Sequence, residues 1–436
     1  MVAVGRVETA YVKIWGMLVG AVAWDADRGF ARFEFDRDFM EKGLDLSPIR
    51  MPLAEAREGS AIFEFRNLSS RTYRGLPGLL ADARPDRFGN RIIDTWLARR
   101  GRSPEDFSSV ERLCYTGKRA LGALEFSPAI HDAIDESVPV EVGELVELAQ
   151  TVIDERLRLD TSIKSDPAGA LIDIIRVGTS AGGGRPKAVI ALNDATGEVR
   201  SGQVDAPDGF EHWILKFDGV TDDALGDPAG YGRIEYAYHM MAVDAGIDMT
   251  ECRLFEENGR AHFMTRRFDR PSGNEKLHIQ TLCAVAHYDF NDPGAYSYEQ
   301  AFQVMRRLRL HYPDAEQQFR RMTFNVVARN QDDHTKNISF LMNRDGEWRL
   351  SPAYDVVYAF NPGGEWTSRH QMSIGGKRDH FKREDLLAVG TEMNIKHANA
   401  IVDQVVDVVS RWSDYAAQAG VDSPKITSIG AQHRNL

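Results

Sequence analysis

Cysteine is nearly missing: Cys114, Cys252 and Cys283 are the only three in 436 residues. None lies at the spacing of a metal knuckle or a disulfide framework, which excludes a zinc-ribbon or disulfide-stapled scaffold. The thiols are expected to be reduced, in a cytoplasmic protein. Long apolar runs are missing too. Near the start the longest is Ile14–Trp24, eleven residues interrupted by Gly16 and Gly20, about half of what crosses a bilayer, so no membrane association is expected. Glu8 precedes that run and a cationic n-region is missing, so it does not read as a secretory leader. There is no surplus of positive charge either. Lys and Arg number 53 against 65 Asp and Glu, a net charge of -12. That excludes a chain that coats nucleic acid unaided, and it suits a basic partner or simply a solvated acidic surface. No repeat, low-complexity tract or long linker stands out.

What is present is ordinary for a globular protein: 43% hydrophobic and 27% charged residues. The length exceeds one ordinary core and predicts two or three domains. Tyr11–Val22 and Phe30–Phe35 read as strands around the turn Asp25–Gly29, Ile92–Leu97 as a short amphipathic helix, and Gly122–Pro128 as a closing strand. After an acidic loop at Ala129–Pro139, Val140–Leu157 has helical spacing. Ile174–Val177, Ala188–Leu192, Trp213–Phe217, Arg253–Phe255 and His262–Arg266 read as strands of a small sheet, with a helix at Ile234–Ala245. Beyond Gln280 the pattern is helical: Tyr298–Leu310, Asp314–Arg329 with Phe319, Met322 and Val326 on one face, and Ala398–Ala417. The expected fold class is α+β, a strand-rich part before a helical lobe, divided as 1–130, 131–270 and 271–436.

The most informative stretch is Asn330-Gln-Asp-Asp-His-Thr-Lys-Asn337, between an amphipathic helix and the strand Ile338–Met342. Phosphoryl transfer needs a carboxylate to orient the acceptor hydroxyl and oxygen ligands to hold Mg²⁺ beside the γ-phosphate. Protein kinases place an Asp and, five positions later, an Asn on one loop, with a second metal-binding Asp downstream. Asp332 and Asn337 have that spacing, and Asp355 follows eighteen residues after Asn337. On the residues alone, Asp332, Asp333 and Asn337 also fit polar turn residues beside a helix end. Val177-Gly-Thr-Ser-Ala-Gly-Gly-Gly-Arg-Pro-Lys187 lies between two expected strands. Its glycines allow backbone N–H groups to approach phosphate oxygens, and Lys187 adds charge. It lacks the Gly-Lys-Ser/Thr of a Walker A loop, and a flexible hairpin is the plainer reading.

Together, Asp-x-His-x-Lys-Asn337 and Leu350-Ser-Pro-Ala-Tyr-Asp355 resemble the signature of HipA-like toxin kinases. Leu76–Asp82, Pro85–Gly89 and Gly117–Pro128 are similar to that family's N-terminal region, so the resemblance covers nearly the whole chain. It implies a two-lobed protein-kinase-like fold with an extra N-terminal subdomain, a nucleotide between the lobes, and ATP and Mg²⁺ as cofactors. Asp332 would be the catalytic base, and Asn337 and Asp355 would bind the metal. His334, Lys336, Asn337, Tyr354 and Asp355 would line the nucleotide site. The glycine-rich loop would add Gly182, Gly183, Gly184, Arg185 and Lys187, and Lys216 would contact the α/β-phosphates, with Glu235 as its pairing partner. Arg266, Arg267 and Phe268, in Met264-Thr-Arg-Arg-Phe-Asp-Arg270, would flank adenine through their backbone, while Asp269 and Arg270 equally fit a structural ion pair. Ser180, beside Thr179, aligns with the serine these kinases autophosphorylate. Gly182–Pro186 differ in detail from some members, and Arg266 stands where others have an acidic residue. The implied activity is that of a Ser/Thr protein kinase toxin. A helix-turn-helix antitoxin (HipB-like) would neutralise it, the pair would bind operator DNA, and the substrate would be a cellular protein, aminoacyl-tRNA synthetases being family targets. A small-molecule kinase and a pseudokinase binding partner share the motif; intact Lys216, Asp332, Asn337 and Asp355 count against the second.

Overall fold

The computed structural model describes residues 6–59, 62–99, 101–130, 136–155, 178, 185–220 and 230–436. Chain contacts divide it into two compact units: Met1–Ala229 with Phe255–Ile279 and Arg344–Gly346, and Gly230–Leu254 with Gln280–Asn343 and Glu347–Leu436. No helix among the described residues is long and apolar enough to cross a membrane. The expected strand Ile174–Val177 and the residues Thr179, Ser180, Gly182, Gly183 and Gly184 lie outside the described residues.

The first unit opens with an antiparallel sheet of β1 (Thr9–Ile14), β2 (Met17–Asp25), β3 (Phe30–Phe35), β4 (Ile62–Phe63) and β5 (Leu124–Ser127), in the order β4-β3-β2-β1-β5. The single strand expected over Tyr11–Val22 is in fact two. Trp15 and Gly16 both take positive φ, 49° and 82°, and Ile14 pairs with Met17 across them, the two-residue hairpin that matches strand twist. A bulky Trp at the first turn position hides this turn from a reading based on Asn-Gly or Asp-Gly. Alternation then does the sorting: Ala10, Val12 and Ile14 point inward, and Thr9, Tyr11 and Lys13 outward.

A second sheet holds β6 (Lys187–Leu192), β7 (Val199–Ser201), β8 (Glu211–Lys216), β9 (Cys252–Glu257) and β10 (Arg260–Arg266), in the order β7-β6-β8-β10-β9. The helix Arg87–Arg99 is longer than Ile92–Leu97 alone suggests. Phe88, Ile92, Ile93, Trp96 and Leu97 form its apolar stripe. They share one core with Leu145, Val146 and Ala149 and with Ala188, Ile190, Trp213, Leu215 and Met264 of the sheet. The N-terminal region and the second sheet therefore bury apolar surface in common.

Just after β10 the chain forms a buried ionic cluster. Arg267 grips Asp269 with both arms, at 2.9 and 2.7 Å, and Arg270 reaches the same carboxylate at 3.0 Å. The backbone N–H of Gly122 adds a fourth bond at 2.7 Å. Gly122 has φ 76°, and a Cβ there would come within 2.6 Å of Ile279, so only glycine allows this approach. Burial alone would raise the Asp269 pKa; Arg267, Arg270 and the hydrogen bonds outweigh it and hold the carboxyl well below its ordinary range.

The strands β11 (His278–Thr281), β12 (Ser339–Met342) and β13 (Trp348–Leu350) form a three-stranded sheet, and the second unit is mainly helical: Tyr231–Asp244, Tyr298–Arg307, Tyr312–Val327, Arg383–Glu392, Ala398–Ser410, Trp412–Gln418 and Ser423–Gly430. Tyr238, Met241, Phe324, Val327, Val405, Val409 and Trp412 share its main core. The helix expected over Ala398–Ala417 is broken at Arg411, because Trp412 turns in to bond the carbonyl of Ile426 at 2.9 Å and to meet Tyr238 edge-on. That partner lies fourteen residues on, beyond local periodicity.

Replacing Asp269 by Ala leaves two buried guanidiniums without their counter-charge and should cost about 3–5 kcal/mol. Urea denaturation would read this as a lower midpoint with unchanged slope; an unmoved midpoint would show that the cluster does not stabilise the first unit.

Candidate active site

The helix Tyr312–Val327 carries Phe319, Met322 and Val326 into the core and ends at Ala328. Arg329, at φ 57°, turns the chain out of the helix. The next residues alternate: Gln331, Asp333 and Thr335 are buried, whereas Asp332, His334 and Lys336 are partly open. The two adjacent aspartates are thus sorted by backbone direction. The Asp332 side chain is 49% exposed and that of Asp333 only 1%.

Asn337 Nδ2 donates to the Asp332 carbonyl at 2.7 Å, and Asn337 N–H to the His334 carbonyl at 2.8 Å. These two bonds curl the segment so that residues five apart share one turn. The β12–β13 hairpin, with Phe340 opposite Leu350, returns the chain alongside. There Ser339 bonds Ser351 at 2.8 Å and Tyr354 hydroxyl donates to the Lys336 carbonyl at 2.5 Å. Asp355 follows with φ 51°, a conformation a non-glycine residue adopts only under local constraint. Its carbonyl accepts from Asn330 Nδ2 at 3.4 Å. Asn337, Tyr354 and the neighbour Val356 line one pocket together with Gln318, Arg321 and Asn330. Gln318 Oε1, Arg321 Nε and Asn330 Oδ1 are buried without a hydrogen-bond partner, so its lining carries both acceptors and a donor.

Asp333 is the anchor. Its carboxylate accepts from Tyr298 hydroxyl at 2.8 Å, His370 Nδ1 at 2.8 Å and Gln371 N–H at 2.7 Å. Burial opposes the charge, but His370 and these hydrogen bonds prevail and lower the Asp333 pKa below 3.8. Tyr298 in turn accepts from Asn325 at 3.0 Å, and Asn325 from Asn330 at 2.9 Å. An unbroken line of bonds therefore runs from Asp333 to the Asp355 backbone.

In the first unit, Lys187 and Lys216 are cross-strand partners on β6 and β8. Like charges so placed repel, and Lys187 is buried against Asp86 at 3.5 Å. Lys216 Nζ lies 5.7 Å from the Phe263 ring centre, and Arg185 precedes β6. Arg266 pairs with Glu211 at 2.7 Å. Arg267 is committed to the ionic cluster, and its backbone N–H donates to the His212 carbonyl. Phe268 is half-buried. Glu235, on the helix Tyr231–Asp244, is buried in the second unit. The structure thus gathers Asp332, His334, Lys336, Asn337, Tyr354 and Asp355 through two neighbouring segments of one unit, and Lys187, Lys216 and Arg266 through strands of the other, with Arg267 and Phe268 just beyond β10.

Comparison with known proteins decides the family. Residues 179–412, more than half of the chain, match the model of the HipA-like C-terminal domain, and residues 10–127 match that of the HipA N-terminal domain. The chain belongs to the HipA-like family. A Sinorhizobium fredii protein named "Putative kinase Y4mE" is 23% identical over 75% of this chain and 77% of its own length. A Haemophilus influenzae protein named "Putative kinase" is 26% identical over 28% of this chain and 40% of its own length. Among solved structures, HipA from the Shewanella oneidensis complex of HipA, HipB and operator DNA has a TM-score of 0.64 at 16% identity, over 97% of this chain and 95% of that one. The α+β, kinase-like fold class expected from the sequence is the one observed.

For a HipA-like chain the donor chemistry suits Mg²⁺, which takes hard oxygens, usually from one or two carboxylates beside phosphate and water. With Nδ2 spent on the Asp332 carbonyl, the Asn337 amide has its oxygen left to offer, and Asp355 supplies a carboxylate. No group of three or more His, Cys, Asp or Glu able to hold a metal occurs among the described residues. Sequence reasoning missed Asp333, Tyr298 and His370. The adjacency of two aspartates was the one available signal, since His370 stands 37 positions from Asp333.

Asp333→Asn should lose about 1.5–3 kcal/mol, the worth of a charged hydrogen bond. Because folding lowers this pKa, the contribution is complete above 3.8 and fades as pH falls through the folded value. Urea midpoints of wild type and variant should therefore differ equally at pH 7 and pH 5 and converge below pH 3.8. A gap that widens on acidification would refute the assignment of Asp333 as an ionised anchor.

Proposed function

We propose that this chain is an ATP-dependent Ser/Thr protein kinase acting as the toxin of a toxin-antitoxin pair. The observation that carries the proposal is the sorting of the two aspartates, with Asp333 locked inward and Asp332 open to an acceptor five residues before Asn337. The carboxylate of Asp332 would accept a hydrogen bond from the substrate hydroxyl and take its proton as the oxygen attacks the γ-phosphorus. In-line attack forms the new O–P bond while the bond to the β-phosphate oxygen breaks, leaving ADP. Mg²⁺, when bound, neutralises charge on the phosphates. Asn337 and Asp355 are the residues that would hold it. His334, Lys336 and Tyr354 would border the nucleotide, and Lys216 would meet the α/β-phosphates. Arg185, Lys187 and the loop glycines Gly182, Gly183 and Gly184 would lie near the phosphates. The backbone at Arg266 and Phe268 remains the adenine-contact proposal; Arg267 serves the ionic cluster.

Ser180 is the proposed autophosphorylation position. A phosphoserine brings about -1.5 to -2 charges, which would oppose ATP phosphates in the same place and silence the enzyme. HipB and operator DNA accompany HipA in the Shewanella oneidensis complex. By that likeness we propose a helix-turn-helix antitoxin as partner, with the basic antitoxin meeting DNA and the acidic kinase adding little phosphate attraction. A cellular protein, such as an aminoacyl-tRNA synthetase, would be the substrate.

Asp332→Asn should keep melting temperature and ATP affinity, cut phosphoryl transfer about 100-fold or more, and abolish growth arrest. Full toxicity in that variant would remove the mechanism. Separately, mass spectrometry after incubation of wild type with Mg-ATP should find phosphate on Ser180. A phosphorylated metabolite with no phosphoprotein would favour a small-molecule kinase instead.

A further inference from the structure

Arg434, beyond the helix Ser423–Gly430, is far from every motif, yet its guanidinium side chain is only 8% exposed. Nη1 donates to His370 Nε2 at 3.0 Å and to the Val326 carbonyl. Nη2 donates to Gln331 Oε1 at 3.2 Å and to Asp379 Oδ1 at 2.7 Å. The backbone N–H of Arg434 bonds the Val327 carbonyl at 2.9 Å. Phe381 packs against both partners, its ring 5.5 Å from the Arg434 guanidinium carbon and 5.3 Å from the His370 ring. One side chain thus ties together the end of the helix Tyr312–Val327, the loop residue before Asp332, and the segment that carries His370 and Asp379.

A guanidinium has donors and no acceptor. Its bond to Nε2 makes that nitrogen the acceptor, so the imidazole proton sits on Nδ1, and from there it donates to Asp333. The charged groups around His370 are Asp333, Asp379, Arg434, Arg329 and Arg378, whose Nε bonds the His370 carbonyl at 2.6 Å. We propose that Arg434 is a positioning residue: it fixes the tautomer of His370, and through His370 it orients Asp333 beneath the loop that presents Asp332 and Asn337. The role in transfer rests on the kinase reading; the tautomer does not.

Without Arg434 the imidazole could carry its proton on Nε2 and turn an acceptor toward the Asp333 carboxylate, and the loop would lose its aim. The tautomer is read directly by ¹⁵N spectra of histidine-labelled full-length protein, with His370 assigned by comparison with His370→Gln. In its neutral form the wild-type ring should show protonated Nδ1 and unprotonated Nε2. Protonated Nε2 would overturn the proposal whether or not the protein transfers phosphate. Arg434→Met should lower kcat on the order of 10- to 100-fold, as expected when a positioning shell is lost, with KM for ATP within about 2-fold. It should also give His370 a mixed or Nε2–H tautomer. Arg434→Lys, which retains a donor to Nε2, should recover part of kcat. An unchanged kcat in Arg434→Met would overturn the proposal and leave the kinase reading standing. If Arg434→Met does not fold, Arg434→Lys and the wild-type spectrum still decide. Absence of transfer in wild type would instead sink the kinase reading, and the spectrum would judge the tautomer alone.

Discussion

A carboxylate taken out of water is tolerated only when donors replace its hydration, and at Asp333 three donors do so from two separate segments of the second unit. Tyr298 arrives from the start of a helix, His370 by its ring, and Gln371 by its backbone. Two of the donors have their own supports: Asn325 and Asn330 behind Tyr298, Arg434 behind His370. Bonds in such a connected network reinforce one another. Asp332 is held open by the same alternation of backbone direction that buries its neighbour. The open position is thus set by the buried one.

The two units solve the problem of buried charge in related ways. In the first, Asp269 is ringed by Arg267, Arg270 and the Gly122 N–H, with no neutral donor but the backbone. Its guanidiniums are consumed by the cluster, which gives Arg267 a structural task. In the second, Asp333 is met by a hydroxyl, an imidazole and a backbone N–H, and Arg434 acts through the imidazole.

Much of the fold was legible. The stripe Phe319, Met322 and Val326 announced its helix, the apolar run Ala188–Leu192 its buried strand, and Asp25–Gly29 its hairpin turn. Less visible was the turn at Trp15-Gly16, where an aromatic residue takes positive φ because the strands on either side pair tightly. The break at Arg411 was hidden for another reason: it is set by where Trp412 finds room and a carbonyl, not by a glycine or proline.

At the site, the sequence by itself determined which residue types stand five apart on one loop, which aspartate follows downstream, and to which family the chain belongs. Those are properties of adjacent residues, and spacing along a chain records them. Only the tertiary structure decided that Asp333 faces in and Asp332 out, that Arg267 serves a buried ionic cluster, and that Tyr298, His370 and Arg434 stand behind the loop. Hydrogen bonds act over about 3 Å in space. Between Arg434 and Gln331 that short reach spans 103 positions of sequence, a separation at which no local pattern survives.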